Sequence, residues 1–167
     1  MATIDPTARE ANVLARINTY LNGLSVHGAP KLVLIGENGF VPQRNNPFVR
    51  FDWTAISSRD AGRHSATQVA TRVDKLLTAD VFYADGTERD PHNAYDIVRA
   101  ADDVAHGLRR MNLDLQDYSD TPAAPTAVTG VRIRALDPPD TTPLPSSDGW
   151  ARYRVQVPVT WDLRHTA

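Results

Sequence analysis

Residues 151–163 read Ala-Arg-Tyr-Arg-Val-Gln-Val-Pro-Val-Thr-Trp-Asp-Leu. Apolar and polar side chains alternate through this stretch almost without a break. Ala151, Tyr153, Val155, Val157, Val159, Trp161 and Leu163 fall on one side, and Arg152, Arg154, Gln156, Thr160 and Asp162 on the other. A period of two is the signature of a strand with one buried face. Each large apolar side chain buried there contributes roughly 1.5–3 kcal/mol before entropic costs. Pro158 interrupts the run. It lacks a ladder donor, so its presence predicts a sheet edge or a bulge.

Working outward, Val131, Ile133 and Ala135 alternate with Arg132 and Arg134 and predict a second strand. Between the two lies 137–149, rich in proline and read as a long loop. Upstream, Asp90-Pro91 suits a helix start. Ala94, Ile97, Val98, Ala101, Val104, Ala105, Leu108 and Met111 recur at helical spacing. Val69 to Tyr83 alternates as one long strand, or as two broken by a bulge near Lys75. Phe48 to Ile56 predicts another strand, and Ser57 to Ser65 a long polar loop. Lys31 to Ile35 is a short strand, closed by Gly36-Glu37-Asn38-Gly39 as a hairpin turn. Asp5-Pro6 starts a first helix whose stripe is Ala11, Leu14, Ile17 and Leu21, joined by Val13 and Leu24. The expected fold is a single α+β domain over residues 1–167. Its sheet is mixed and mainly antiparallel, with two helices packed on one face, in the order α-β-β-β-α-β-β.

Composition bounds the chemistry. The chain has 167 residues, enough for one domain with a real core. Net charge is −2, which gives no electrostatic reason for tight nucleic-acid binding. There is no cysteine, which excludes disulfides, thiolate catalysis and zinc–thiolate sites. Met1 to Glu10 is polar, with no apolar signal core. No run approaches the ~20 apolar residues of a membrane helix.

Catalytic patterns are sparse. Gly36-Glu37-Asn38-Gly39 lacks the Gly-Lys-Ser/Thr ending of a phosphate loop. Asp102 and His106 share a helix face with Asp103 nearby, and Asp90, His92 and Asp96 sit at the helix start. A metal site there would need further converging ligands; a solvated, capped helix face is the simpler expectation. His27, His64, His92, His106 and His165 are scattered, and no serine-nucleophile motif accompanies them. Arg132, Arg134, Arg152 and Arg154 occupy the polar faces of two strands expected to pair, with Asp52, Asp80 and Asp162 placed to neutralise them. They form either an exposed mixed-charge face or a subunit contact, since arginine is enriched at interfaces.

The order of these elements resembles a known family. The segments that carry the resemblance are the first helix and the Pro-Phe-Val-Arg-Phe strand at 47–51. The Asp-Val-Phe-Tyr-Ala-Asp-Gly end of the long strand (80–86) and the helix from Pro91 to Met111 follow. The arginine-rich strand at 131–135 and the closing strand at 152–161 complete the series. This resembles the tail terminator, or tail completion, proteins of long-tailed phages and phage-like particles, over nearly the whole chain. The long segments at 57–65 and 137–149 depart from that pattern, so no functional residue is carried over.

The resemblance implies a non-enzymatic virion protein of the tail or neck, without cofactor or metal, assembled in the host cytoplasm. It implies a ring, commonly a hexamer, at the head-proximal end of the tail tube. Its partners would be copies of itself, the tail tube protein and the head–tail connector or adaptor. DNA would pass through the lumen without specific binding, and no membrane would be involved. Arg59, Arg63, Arg132, Arg134, Arg152 and Arg154 are the candidate interface residues. A head-completion or neck adaptor, or a minor tail-tube protein, is the alternative, with a metal-dependent hydrolase more distant.

Overall fold

A computed structural model describes residues 3–4, 10–44, 46–65, 68–84, 91–118 and 123–166. The side chains of 3–4, 57–65, 68–70, 91–94, 129 and 163–166 lie outside that description. The elements are β1 (Thr3–Ile4), α1 (Glu10–Asn22), β2 (Lys31–Val33), β3 (Phe48–Ser65), β4 (Gln68–Ala84) and α2 (Pro91–Arg109). They continue with β5 (Asn112–Asp117), β6 (Thr126–Ala135), β7 (Asp140–Ser147) and β8 (Trp150–Thr166). The fold is α+β with a mainly antiparallel sheet and two helices, as the sequence implies. The path runs β2-β3-β4-β8-β6-β5, and β1 and β7 also pair with β8. β1, β5 and β7 are additions to the expected order.

β8 is the spine of this sheet. One of its edges pairs with β4 along the full length, from Trp150 opposite Ala84 to Thr166 opposite Gln68. The other edge is shared in succession by β7, β6 and β1. The expected alternation holds: Val155, Val157, Val159 and Trp161 are buried. They line up with Leu77, Ala79 and Val81 of β4 and with Val49 and Phe51 of β3. This inner face belongs to the same buried cluster as Val13, Ile17 and Leu21 of α1 and Ile97, Ala101, Val104 and Leu108 of α2. The α1 stripe is rotated from the expected one: Ala11 is exposed and Asn12 is buried.

Four expectations are corrected, and one open choice is decided. Residues 57–65 are strand, not loop, because β4 supplies a continuous ladder opposite them. Most of 137–149 is also strand: β7 folds back on β8 through Asp148 (φ 51) and Gly149 (φ 80). Two successive positive φ values with Asp-Gly are what a tight two-residue hairpin turn requires. β2 runs parallel to β3, so Asn38-Gly39 closes no hairpin. Of the two readings of Val69 to Tyr83, one long strand is the outcome: β4 pairs with β8 without a register shift at Lys75, and the irregularities fall in β3, near Ile56, Ala61 and His64. Pro158 lies in an interior strand. Its carbonyl accepts from the Leu136 N–H at 2.9 Å. A strand residue's N–H and C=O point to the same side, so the missing donor faces the seam between β6 and β7. The bond forgone is the one that would return to the Leu136 carbonyl, one residue past the end of β6.

Lys75, the break in the apolar pattern, sits on the inner face at the end of the core. Its ammonium lies 4.6 Å from the Trp53 ring and pairs with Glu10 at the start of α1. Trp53 in turn stacks on Trp161 with centroids 5.5 Å apart. The apolar stem is buried while the charge reaches a carboxylate, the usual way a lysine is accommodated at a core margin.

Candidate subunit interface

The outer face of β3, β4 and β8 carries the polar half of the alternation, and it divides into two parts. One is a polar ladder. Arg154 grips Asp80 with two parallel hydrogen bonds, Nε to Oδ1 at 2.7 Å and Nη2 to Oδ2 at 2.9 Å. This bidentate geometry raises the guanidinium pKa, chiefly through the hydrogen bond to Asp80. Gln156 donates to the Thr78 hydroxyl, and Arg72 to Asp162 at 3.1 Å.

The other part is aromatic. Phe48 and Phe82 are direct cross-strand partners and stack at 4.4 Å. Trp150 meets Phe48 edge-on at 5.1 Å, and Phe40 tilts against Phe48 at 5.1 Å. Arg152 lies over Phe82, 5.5 Å from the ring centre, and its Nε is buried without a hydrogen-bond partner. Pro42, Phe48, Arg50, Phe82, Ser147, Asp148, Trp150 and Arg152 enclose a cleft of about 240 Å³.

The sequence-predicted arginines are therefore not one patch. Arg134 is opposite Thr160, whereas Arg152 and Arg154 are opposite Leu144 and Thr142 of β7. From Arg154 to Thr160 is about 20 Å along β8 at ~3.3 Å per residue. β6 and β8 pair at only two positions because β7 takes over the flank. Arg132 is held by Asn112 at 3.0 Å and Asp114 at 3.6 Å, and Arg154 by Asp80. Of the proposed neutralising acids, Asp80 serves Arg154 and Asp162 serves Arg72, while Asp52 turns back to accept from the Trp53 N–H. Among the described residues, Arg50, Arg134 and Arg152 have no ion pair. Arg59 and Arg63 lie in the β3 backbone, but their side chains are outside the described residues.

The sheet's edges are blunted against strand addition. At β5, the Asp114 carbonyl accepts from Arg16, the Tyr118 N–H donates to Asn12, and Asn12 donates to Asp117. At β7, the geometry at Pro158 fixes which way each residue faces. Even-numbered residues of β8 face β7 and Tyr153 faces β4, so Pro143, opposite Tyr153, turns its nitrogen outward. A proline there leaves the edge without a donor. At β3, beyond the three residues paired with β2, the Trp53 N–H is occupied by Asp52 and register shifts bend the strand. These features disfavour adding a further strand at β5, at β7 or along the open part of β3.

One cluster has no counterpart among the sequence-based expectations. The His27 ring meets Asp96 at 2.9 Å, its backbone N–H donates to Asp103 at 2.8 Å, and its carbonyl accepts from Tyr83 Oη at 2.7 Å. Burial, followed by the Asp96 and Asp103 charges, pushes the Tyr83 phenol up to about 12. Gly28 is required beside it: φ is +76° and an added Cβ would lie 2.7 Å from Tyr83 Oη. The cluster pins the α1–β2 connection to α2. Asp96 and Asp103 are thus engaged in a structural tie, whereas Asp102 and His106 are exposed. Asp90 and the His92 side chain lie outside the described residues. Among the described residues no three His, Asp or Glu side chains converge in a metal-holding group, and no helix is long and apolar enough to cross a membrane.

No family model matches the chain, and no curated protein does. Among solved structures, one chain is 14% identical and aligns over 95% of both chains with a TM-score of 0.47. A likeness that distant transfers no function.

Proposed function

We propose that this chain is a virion structural protein. It forms a closed ring at the head-proximal end of a phage tail tube, ends tube polymerisation and joins the tail to the head connector. The reading takes both helices to sit on the inner sheet face, leaving the outer face to neighbours. The observation that carries it is that outer face: a stacked Phe48–Phe82–Trp150 cluster beside Arg50 and Arg152, which have no ion pair among the described residues. Aromatic and arginine side chains at a desolvated centre are the usual composition of an interface core. A ring requires two unlike surfaces per copy that close on themselves. The blunted edges favour a closed ring over uncontrolled sheet growth. The net charge of −2 suits a conduit through which DNA slides without being gripped.

The test is assembly. Native mass spectrometry should return a single closed oligomer, expected to be six copies. Electron microscopy with tail tubes should place it at one tube end. A protein that stays monomeric at high concentration and never binds tubes overturns the reading.

A further inference from the structure

We propose that the aromatic–arginine cleft receives the β6–β7 turn, residues 136–140, of a neighbouring copy; this rests on the ring reading above and names the contact that builds it. The turn reads Leu-Asp-Pro-Pro-Asp. Leu136 is 48% exposed, an uncommon position for a large apolar side chain whose own N–H is fixed to Pro158. Asp137, Pro138 and Asp140 are exposed, and neither aspartate has an ion pair among the described residues. Two consecutive prolines hold the turn in a narrow range of conformations, so little entropy is lost on docking.

The cleft offers the complement. Arg50 and Arg152 present two guanidinium groups, one with its buried Nε unpartnered. Asp148 at the rim leaves a net positive lining. Pro42 and the ring of Trp150 provide apolar walls, and Val41 beside them is 75% exposed. Aspartates would meet arginines while Leu136 and the prolines meet the apolar walls.

The two surfaces are distinct and lie at different heights along β8. The cleft spans β3, β4, the β7–β8 turn and the start of β8, whereas residues 136–140 sit beside Pro158 where β6 gives way to β7, about 20 Å further along β8 at ~3.3 Å per residue. A contact between two unlike, separate patches is head-to-tail, the kind that propagates around a ring. Opposed charges of this sort fix register and choose the partner.

The experiment uses charge reversal and covalent trapping in the full chain. Asp137→Arg/Asp140→Arg reverses the turn, and Arg50→Glu/Arg152→Glu reverses the cleft. Each double variant alone should need at least about tenfold more protein to assemble. An equimolar mixture should assemble again, because every reversed turn then meets a reversed cleft and every native turn a native cleft. Circular dichroism and thermal melting check that each variant is folded; the single variants Asp137→Arg and Arg50→Glu, both at exposed positions, replace any double variant that is not. Because the chain has no cysteine, Asp137→Cys/Arg50→Cys should yield a disulfide ladder of discrete multimers under oxidation, and neither single cysteine should. Rings that form unchanged in the charge variants and give no ladder overturn the turn-in-cleft contact while leaving the ring reading standing. A wild-type protein that never self-associates overturns both.

Discussion

The two faces of the β3-β4-β8 ribbon are built by the same residues' neighbours, one position apart. Inward lie Val49, Phe51, Leu77, Ala79, Val81, Val155, Val157 and Val159, which share one buried cluster with residues of both helices. Outward lie Phe48, Arg50, Thr78, Asp80, Phe82, Trp150, Arg152, Arg154 and Gln156. The inner face is almost wholly apolar and mostly aliphatic, with aromatic rings and Lys75 toward its ends; its stabilising effect scales with area removed from water. The outer face is varied, with paired charges in one part and stacked rings with unpaired guanidinium groups in the other. The lesson is a division of labour: one face holds the fold together, and the other is chemically specific in a way that folding does not demand.

The largest blow to that contrast is removal of the strand both faces share. Deleting residues from Trp150 onward takes away the partner of β4, β6 and β7 together. It should abolish the cooperative thermal transition followed by circular dichroism. A truncated protein that still melts cooperatively would show that β8 is not the spine.

Adjacent leucines offer a cleaner comparison. Leu77 is fully buried on the inner face, and Leu76, half-buried, faces outward beside Thr54 and Pro158. Leu77→Ala should cost about 2–5 kcal/mol in chemical denaturation, the range for a fully buried leucine. Leu76→Ala should cost clearly less. Equal losses would erase the distinction between the faces.

Tyr83 gives a pH-dependent version at the margin of the inner face. Its phenol is raised from 10.0 to about 12 in the folded chain. A folded pKa above the unfolded one means that the stabilising contribution is complete below pH 10. It is lost as pH climbs toward 12, because only the unfolded chain releases its proton readily. Stability should therefore fall through that window. Tyr83→Phe should flatten the fall while losing, at neutral pH, about 1 kcal/mol with the hydrogen bond to His27. An unchanged alkaline slope in the variant would remove Tyr83 as its source.

The smallest effect belongs to the outer ladder. Asp80→Asn breaks the charge pair with Arg154, whose side chain is 36% exposed. Asp80 is 17% exposed, so the loss should lie near the top of the range of about 0.2–1 kcal/mol measured for exposed pairs, with a small shift of the melting curve and a weaker salt dependence. A loss as large as that from Leu77→Ala would mean the outer face shares in holding the fold.

Much of the inner face is legible in the order of residues. The alternation in 151–161 marks its buried side correctly, and the stripe Ile97, Ala101, Val104, Leu108 marks α2. β5 is harder to see although Leu113 and Leu115 alternate in the way that identifies a strand; its shortness hides it between a helix and a polar segment. β7 is masked because Pro143 and Pro145 argue against strand, yet Asp148-Gly149 ahead of the terminal strand is a strong hairpin signal. The prolines are tolerable because β7 is an edge strand and at least Pro143 turns its missing donor to solvent. Residues 57–65 carry no strand signal: a polar run becomes strand only because β4 lies opposite to pair with it.

The candidate interface shows the same limit. The aromatic cluster joins Phe40, Phe48, Phe82 and Trp150, and the tie at His27 joins the α1–β2 connection to β4 and α2. Neither has a sequence spacing that would reveal it. Sequence by itself determined which strands and helices have a buried face, because side-chain polarity writes burial directly into the order of residues. Only the tertiary structure decided who lies beside whom: that β8 is central, that β2 runs parallel, that the arginines separate into two groups. Ladder partners are chosen through backbone N–H and C=O groups, which are the same in nearly every residue and so leave no mark in the sequence.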